Sequence, residues 1–159
     1  MSRSGKINQH PSQADPLFNS QLIAKLTNVL MKDGKKSIAQ KHIYKALEII
    51  KEKTKQDPVV VVRQALDNVK PSMEVRSRRI GGAAYQVPTP VRGERKESLS
   101  IRWVVNAARA RSSREFHHFS QKLAAEILDA FNNQGGAMEK KNQMIKMAEA
   151  NKAFAHFRW

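Results

Sequence analysis

Met73-Glu74-Val75-Arg76-Ser77-Arg78-Arg79-Ile80-Gly81-Gly82-Ala83-Ala84-Tyr85-Gln86-Val87-Pro88 breaks the helical spacing that governs the chain on either side of it. Two short β-prone runs, 73–80 and 83–87, flank a Gly-Gly pair able to take the positive φ of a tight hairpin turn. Pro88 and Pro90 cannot donate to a ladder, so they predict a strand that stops there or runs along an edge. Side chains alternate along a strand, which puts Arg76 and Arg78 on one face and Val75, Ser77 and Arg79 on the other. Arginine on both faces does not suit a strand buried in a core. The pattern predicts a two-stranded hairpin arm at about residues 73–88, projecting from a body and open to a partner on both faces. Two strands alone have little means of stabilising themselves, so the arm is expected to order fully only on that partner.

The body reads as helical. Residues 1–15 form a polar arm with Arg3 and Lys6 as its cations, flexible until a partner orders it. From Phe18, apolar residues recur at Leu22, Leu26, Val29 and Leu30, predicting a helix that ends at Asp33-Gly34. Ser37 is placed to cap a second helix with the stripe Ala39, Ile43, Ala46, Leu47 and Ile50. Asp57-Pro58 is an N-cap followed by proline at the first helical position, which turns the strand-like Val59–Val62 run into helix. Beyond the hairpin, a helix from Ser98 carries Ile101, Val104, Val105 and Ala108 inward, with Leu99 and Trp103 beside them. Ser112-Ser113-Arg114-Glu115 has the form of a capping box opening a helix with Phe116, Phe119, Leu123, Ile127 and Phe131. A last helix starts at about Met138 and shows Met144, Met147, Ala148 and Asn151. The fold class is mainly α: a six-helix body with a projecting two-stranded hairpin, residues 16–159 forming a single domain.

Charge narrows the function. Residues 70–114 hold eleven Lys/Arg against three acids, +8 of the chain's net +15. Charge concentrated in this way repels itself unless a polyanion neutralises it, and the rigid fork of arginine suits phosphate oxygens. The candidate nucleic-acid contacts in this stretch are Arg76, Arg78, Arg79, Arg92, Arg95, Arg102, Arg109, Arg111 and Arg114. Arg102 and Arg109 lie seven positions apart, two turns along one helix side. Arg3 and Lys6 of the polar arm and Lys25, Lys32, Lys35 and Lys36 add to the set, the last two beside Gly34 at a helix junction where backbone donors can join them. Lys51-Glu52-Lys53-Thr54-Lys55 and Glu139-Lys140-Lys141 read instead as solvated helix ends. A helical body with a basic hairpin suits a folded RNA junction, and as a β-ribbon it also suits a DNA major groove.

Other chemistry finds little support. Cysteine is absent, which removes disulfides, thiolate catalysis and cysteine zinc sites. His117 and His118 are adjacent and point apart on a helix, unlike the three- or four-residue spacing of a two-histidine metal site. Neither glycine pair, at 81–82 and 135–136, matches a phosphate loop or a dinucleotide fingerprint. A metal-dependent enzyme is therefore disfavoured, and no catalytic residue, cofactor or small-molecule substrate is expected. Residues 1–15 hold no apolar run of the signal-peptide kind, and no stretch is apolar over the length of a membrane span, so no membrane partner is expected.

The hairpin run from Val75 to Pro88 resembles the signature of the bacterial-type ribosomal protein seven family of the small subunit. So does Met147-Ala148-Glu149-Ala150-Asn151-Lys152-Ala153-Phe154-Ala155-His156-Phe157-Arg158-Trp159. Asp15-Pro16, Met31–Ser37, Ala65–Pro71 and Ile101-Arg102-Trp103 follow in that family's order. The resemblance implies a structural protein that binds the 3′ major domain of small-subunit rRNA and organises the head. It implies neighbouring small-subunit ribosomal proteins as partners, exit-site tRNA and mRNA nearby, and a place in the small ribosomal subunit of a bacterial cytoplasm or an organelle. By position, it implies that Lys35 and Lys36 face rRNA in the turn after the first helix. Arg76, Arg78 and Arg79 match its basic hairpin strand, and Arg102 and Arg109 the helix that follows. Two stretches depart from the family pattern: the sparsely basic arm, and residues 110–119, longer than the usual turn.

Overall fold

The computed structural model describes residues 13–157, so Arg3, Lys6 and the expected arm over residues 1–12 lie outside what is described. Three helices come first: α1 (Gln21–Leu30), α2 (Lys36–Thr54) and α3 (Pro58–Val69). The antiparallel pair β1 (Met73–Ile80) and β2 (Ala83–Pro90) follows, then α4 (Gly93–Ala110), α5 (Phe119–Phe131) and α6 (Gly136–Ala150). A short 3-10 helix, Lys152–Phe157, comes last. The mainly helical body with a hairpin arm is what the sequence predicts.

Helix α5 is the hub, with α2, α3, α4 and α6 all packed on it. Its Leu123, Ala124, Ile127 and Ala130 are buried, as are Ile43, Leu47 and Ile50 of α2 and Val61, Val62, Leu66 and Val69 of α3. Val61 and Val62 therefore serve a helix despite their strand preference. Asp57 explains why: its Oδ1 accepts the backbone N–H of Val59 at 3.0 Å, and Pro58 takes the first position, where its missing donor is not needed.

Several boundaries differ from expectation. Helix α1 ends at Leu30, three residues before Asp33-Gly34, and those two carry positive φ in the connecting turn (53° and 72°). Phe18 precedes the helix and packs on the core from a turn. Ser37 lies inside α2, which begins after Lys35. Helix α4 starts at Gly93 rather than Ser98, with Glu94 in its first turn complementing the dipole. The Ser112–Glu115 box caps nothing: the Ser112 Oγ accepts the Arg114 N–H at 3.2 Å in a local turn, and α5 begins at Phe119. There, Gln121 Oε1 accepts the His118 N–H at 3.3 Å. Phe116 accordingly sits outside the helix, its ring 5.9 Å from the Arg111 guanidinium. Met147, grouped with the stripe of α6, is exposed.

Asp15, placed in the polar arm by the sequence, is packed onto the body. Asp15 is buried; its Oδ1 accepts the Tyr44 hydroxyl at 2.9 Å and its Oδ2 the N–H groups of Leu17 and Phe18. Burial, joined by this carboxylate, pushes the Tyr44 hydroxyl above its ordinary range.

In the hairpin, Gly81 and Gly82 have φ of 57° and 90°, the paired positive values of a type I′ turn. The ladder continues past Pro88 to the pair Met73–Pro90. In a two-stranded ladder every second residue turns its N–H outward, so prolines two apart occupy that outward set without breaking a bond. The arm is also not left to stabilise itself. Tyr85 lies 5.3 Å from the Phe154 ring and 5.4 Å from that of Phe157, and β1 packs on α6.

Replacing Ile43 by Ala is expected to destabilise the protein by about 2–5 kcal/mol through a core cavity. Asp57→Ala removes only a cap, about 1 kcal/mol. Chemical denaturation of both variants checks the ratio; equal losses would mean that α3 depends on its cap as much as the body depends on its core.

Candidate nucleic-acid interface

The predicted cations fall into three arrangements. At the junction of α1 and α2, Lys32 and Lys35 meet Arg109 from the far end of α4 around a cleft of about 260 Å³, floored by Leu30, Ile38, His42 and Phe119. Among the described residues no carboxylate lines it. The Arg109 guanidinium donates to the carbonyl of Leu30 at 3.1 Å, which satisfies an end of α1 and fixes α4 against it. Lys36 is exposed next to this cleft in sequence, and Arg102 is exposed two turns before Arg109. The seven-residue spacing therefore does put both arginines on the outer side of α4, while Trp103, Val104 and Val105 turn inward.

The second arrangement is the hairpin and its root. Arg79 is exposed and Arg78 half-buried. Arg76 and Arg95 are exposed as well, yet both are held by Glu74, a residue only 4% exposed. Arg76 reaches Oε1 with Nε at 2.6 Å and Nη2 at 2.5 Å, and Arg95 reaches Oε2 with Nε at 2.6 Å. Burial pushes the Glu74 carboxyl up, but the hydrogen bonds and charges of Arg95 and Arg76 together outweigh it and hold the group below its ordinary value of 4.5. The sequence leaves both faces of the hairpin open to an outside partner; Arg76 already has one inside the protein. Arg92, just before α4, and Arg114, in the loop after it, are exposed.

The third arrangement is internal. Arg111 is 20% exposed and its guanidinium bonds Glu126 Oε2 at 2.7 Å and the Asp129 carboxylate. The hydrogen bonds and charges of these two acids outweigh the effect of burial and raise the Arg111 pKa. Lys25, its side chain 42% exposed, bonds Glu97 at 2.8 Å in a separate cleft of mixed charge with Arg63 and Asp67. Lys141, read as part of a solvated end, donates to the Asn68 carbonyl at 2.5 Å, while the Asn68 amide reaches the carbonyls of Ala130 and Phe131, each at 3.1 Å.

Sequence reasoning missed Glu74, Glu126 and Gly135. A lone acid reads as surface. Gly135 reads as a helix break, whereas at its φ of 90° a Cβ would come 3.0 Å from Glu126 Oε1. Among the described residues no group of histidines and acids is placed to hold a metal ion.

The family model for ribosomal protein S7p/S5e matches residues 2–152. The chain belongs to that family. Relatives described as small ribosomal subunit protein uS7 from Moorella thermoacetica, Dictyoglomus thermophilum and Acetivibrio thermocellus are each 55% identical over 159 residues, covering 100% of this chain and 100% of their own. The chain is thus a bacterial-type structural protein of the small ribosomal subunit that binds rRNA alongside other ribosomal proteins, and is not an enzyme.

Two outcomes follow from the paired charges. Arg111→Ala leaves the buried Glu126 without its cation and is expected to destabilise the protein by about 3–5 kcal/mol, whereas Arg79→Ala should leave the melt unchanged. The Glu74 carboxyl is held low in the folded protein. Its contribution is therefore complete above the unfolded value near 4.5 and fades as pH falls through the folded value. The melting gap between wild type and Glu74→Gln should be open at neutral pH and close as the solution is acidified below that range. A constant gap would mean that the carboxylate's charge contributes nothing.

Proposed function

We propose that this protein grips the 3′ major domain of small-subunit rRNA through the hairpin, the outer side of α4 and the α1–α2 turn, and so organises the head of the subunit. Residues 16–159 act as one RNA-binding unit, and the surface lies near exit-site tRNA and mRNA. The resemblance of the hairpin and of the 147–159 run supports this placement. The observation that carries the RNA contact is the cleft where Lys32, Lys35 and Arg109 converge with no acid among the described residues that line it. Elements far apart in sequence are brought there by the fold, and unopposed cations around a concave wall focus a field that favours phosphate. The proposed contacts are Lys32, Lys35, Lys36, Arg76, Arg78, Arg79, Arg92, Arg95, Arg102, Arg109 and Arg114. Arg111 is turned to internal work by Glu126 and Asp129, whereas Lys25, its side chain 42% exposed beside Glu97, stays in the proposed set with Arg3 and Lys6.

An rRNA fragment of the 3′ major domain should bind with a steep salt dependence. Neutralising six to ten phosphates corresponds to a loss of roughly three to five orders of magnitude between ~50 and ~200 mM salt. The double variant Arg79→Ala, Arg102→Ala should lower the log–log slope by about 2 and leave the fold intact. Competition with duplex DNA of equal length supplies the specificity test. Equal affinity for both, or tight binding with almost no salt slope, would refute the proposal.

A further inference from the structure

A carboxylate buried inside a basic binding surface is an odd thing to find. Charge counting alone makes Glu74 a defect, since it cancels part of the attraction for a polyanion. Its geometry suggests another role. Glu74 is the second residue of β1, paired across the hairpin with Thr89, and the root of the hairpin is closed by the Val91 N–H on the Ser72 carbonyl at 3.1 Å. From that fixed point its two oxygens are divided: Oε1 takes Arg76 of the strand, and Oε2 takes Arg95 of the first turn of α4. Both guanidiniums stay outward, with side chains 56% and 52% exposed. Each has five N–H donors and spends one or two on Glu74, so donors remain on both for a second acceptor.

We propose that Glu74 assembles Arg76 and Arg95 into one preformed phosphate clamp at the hairpin root, acting as a positioning residue for the RNA backbone. Two guanidiniums brought together unaided would repel each other and wander; one carboxylate between them relieves the repulsion and locks both rotamers. The trio keeps a net charge of +1 and presents donors from two elements toward a single phosphodiester. Binding then orders no further side chain at this point. The same three residues tie β1 to α4, so the angle of the hairpin and the place of the phosphate are set together. This inference rests on the rRNA reading above and adds to it a particular site.

Glu74→Gln tests the idea because the two accounts differ in sign. The substitution removes a negative charge and keeps the side chain's size. If the surface acts as a polycation, the variant binds the rRNA fragment as tightly as wild type or more tightly, with a steeper salt slope. If Glu74 positions the arginines, binding weakens by about tenfold despite the added positive charge, the loss expected when two long side chains must be ordered on binding. A melt of each protein confirms that the variant is folded. Arg95→Lys, on an exposed side chain, keeps the charge and loses the fork; it should weaken binding similarly, and unchanged affinity would overturn the clamp. In the Arg76→Ala, Arg95→Ala background the Glu74→Gln change should have no further effect on binding. A full additional loss there would show that Glu74 acts through something else and would also overturn it. Wild type that fails to prefer rRNA over duplex DNA refutes the parent reading. Wild type that does prefer rRNA, with Glu74→Gln binding equally or more tightly, refutes the clamp alone.

Discussion

Glu126 sits in the middle of α5 with both oxygens engaged: Oε1 takes the backbone N–H of Ala137 at 2.9 Å, and Oε2 takes Nε of Arg111 at 2.7 Å. A buried charge is tolerated only when it is paired and hydrogen-bonded, and here the partners come from the two segments that flank α5. The start of α6 is thereby held to the hub helix on one side and the loop after α4 on the other. Gly135 allows this approach because its missing Cβ leaves room for the carboxylate. Lys122, one turn earlier on α5, adds bonds to the Arg111 carbonyl at 2.7 Å and to Ser113 Oγ at 2.9 Å. With α4 and α6 placed in this way, the outer side of α4 and the packing of β1 on α6 follow.

The chain uses arginine and carboxylate in two opposite ratios. At Arg111 two carboxylates share one guanidinium, the site is mostly buried, and the charge is consumed inside the protein. At Glu74 one carboxylate serves two guanidiniums, both open to solvent, and positive charge is left over on the surface. The same pair of residue types thus makes a buried structural tie in one place and a solvent-facing group with spare positive charge in the other. What distinguishes them is the local count and the exposure of the cation, neither of which a linear pattern contains.

That limit explains how far the sequence could be read. Hairpin, hub stripe and the Asp57-Pro58 start were legible because each depends on neighbours within a turn or a strand. Helix ends were less so. Ser112–Glu115 has the residues of a capping box, but the loop is drawn instead toward Lys122 and Glu126, partners that only the folded chain brings near. Gly93 makes a poor helix interior, which hid the first turn of α4, although Glu94 beside it favours a helix start. Among the candidate contacts, charge and spacing singled out Arg79 and Arg102, which the structure leaves exposed. Arg111 could not be told apart from them, because its difference lies in Glu126 and Asp129, fifteen and eighteen residues away.

The rings that brace the hairpin have a bearing on the order in which the protein can mature. Tyr85 rests on Phe154 and Phe157, about seventy residues later in the chain, a contact of long sequence separation that forms late in folding. Synthesis proceeds from the N-terminal side at ~5–20 residues per second. For several seconds the hairpin segment is therefore made but lacks its aromatic support, and two strands alone do little to hold themselves together. A nascent chain in that interval carries the charge of the finished surface without its shape. It can be drawn to any RNA nearby, and its arm is braced fully once α6 and the 3-10 segment have both arrived to pack against the strands.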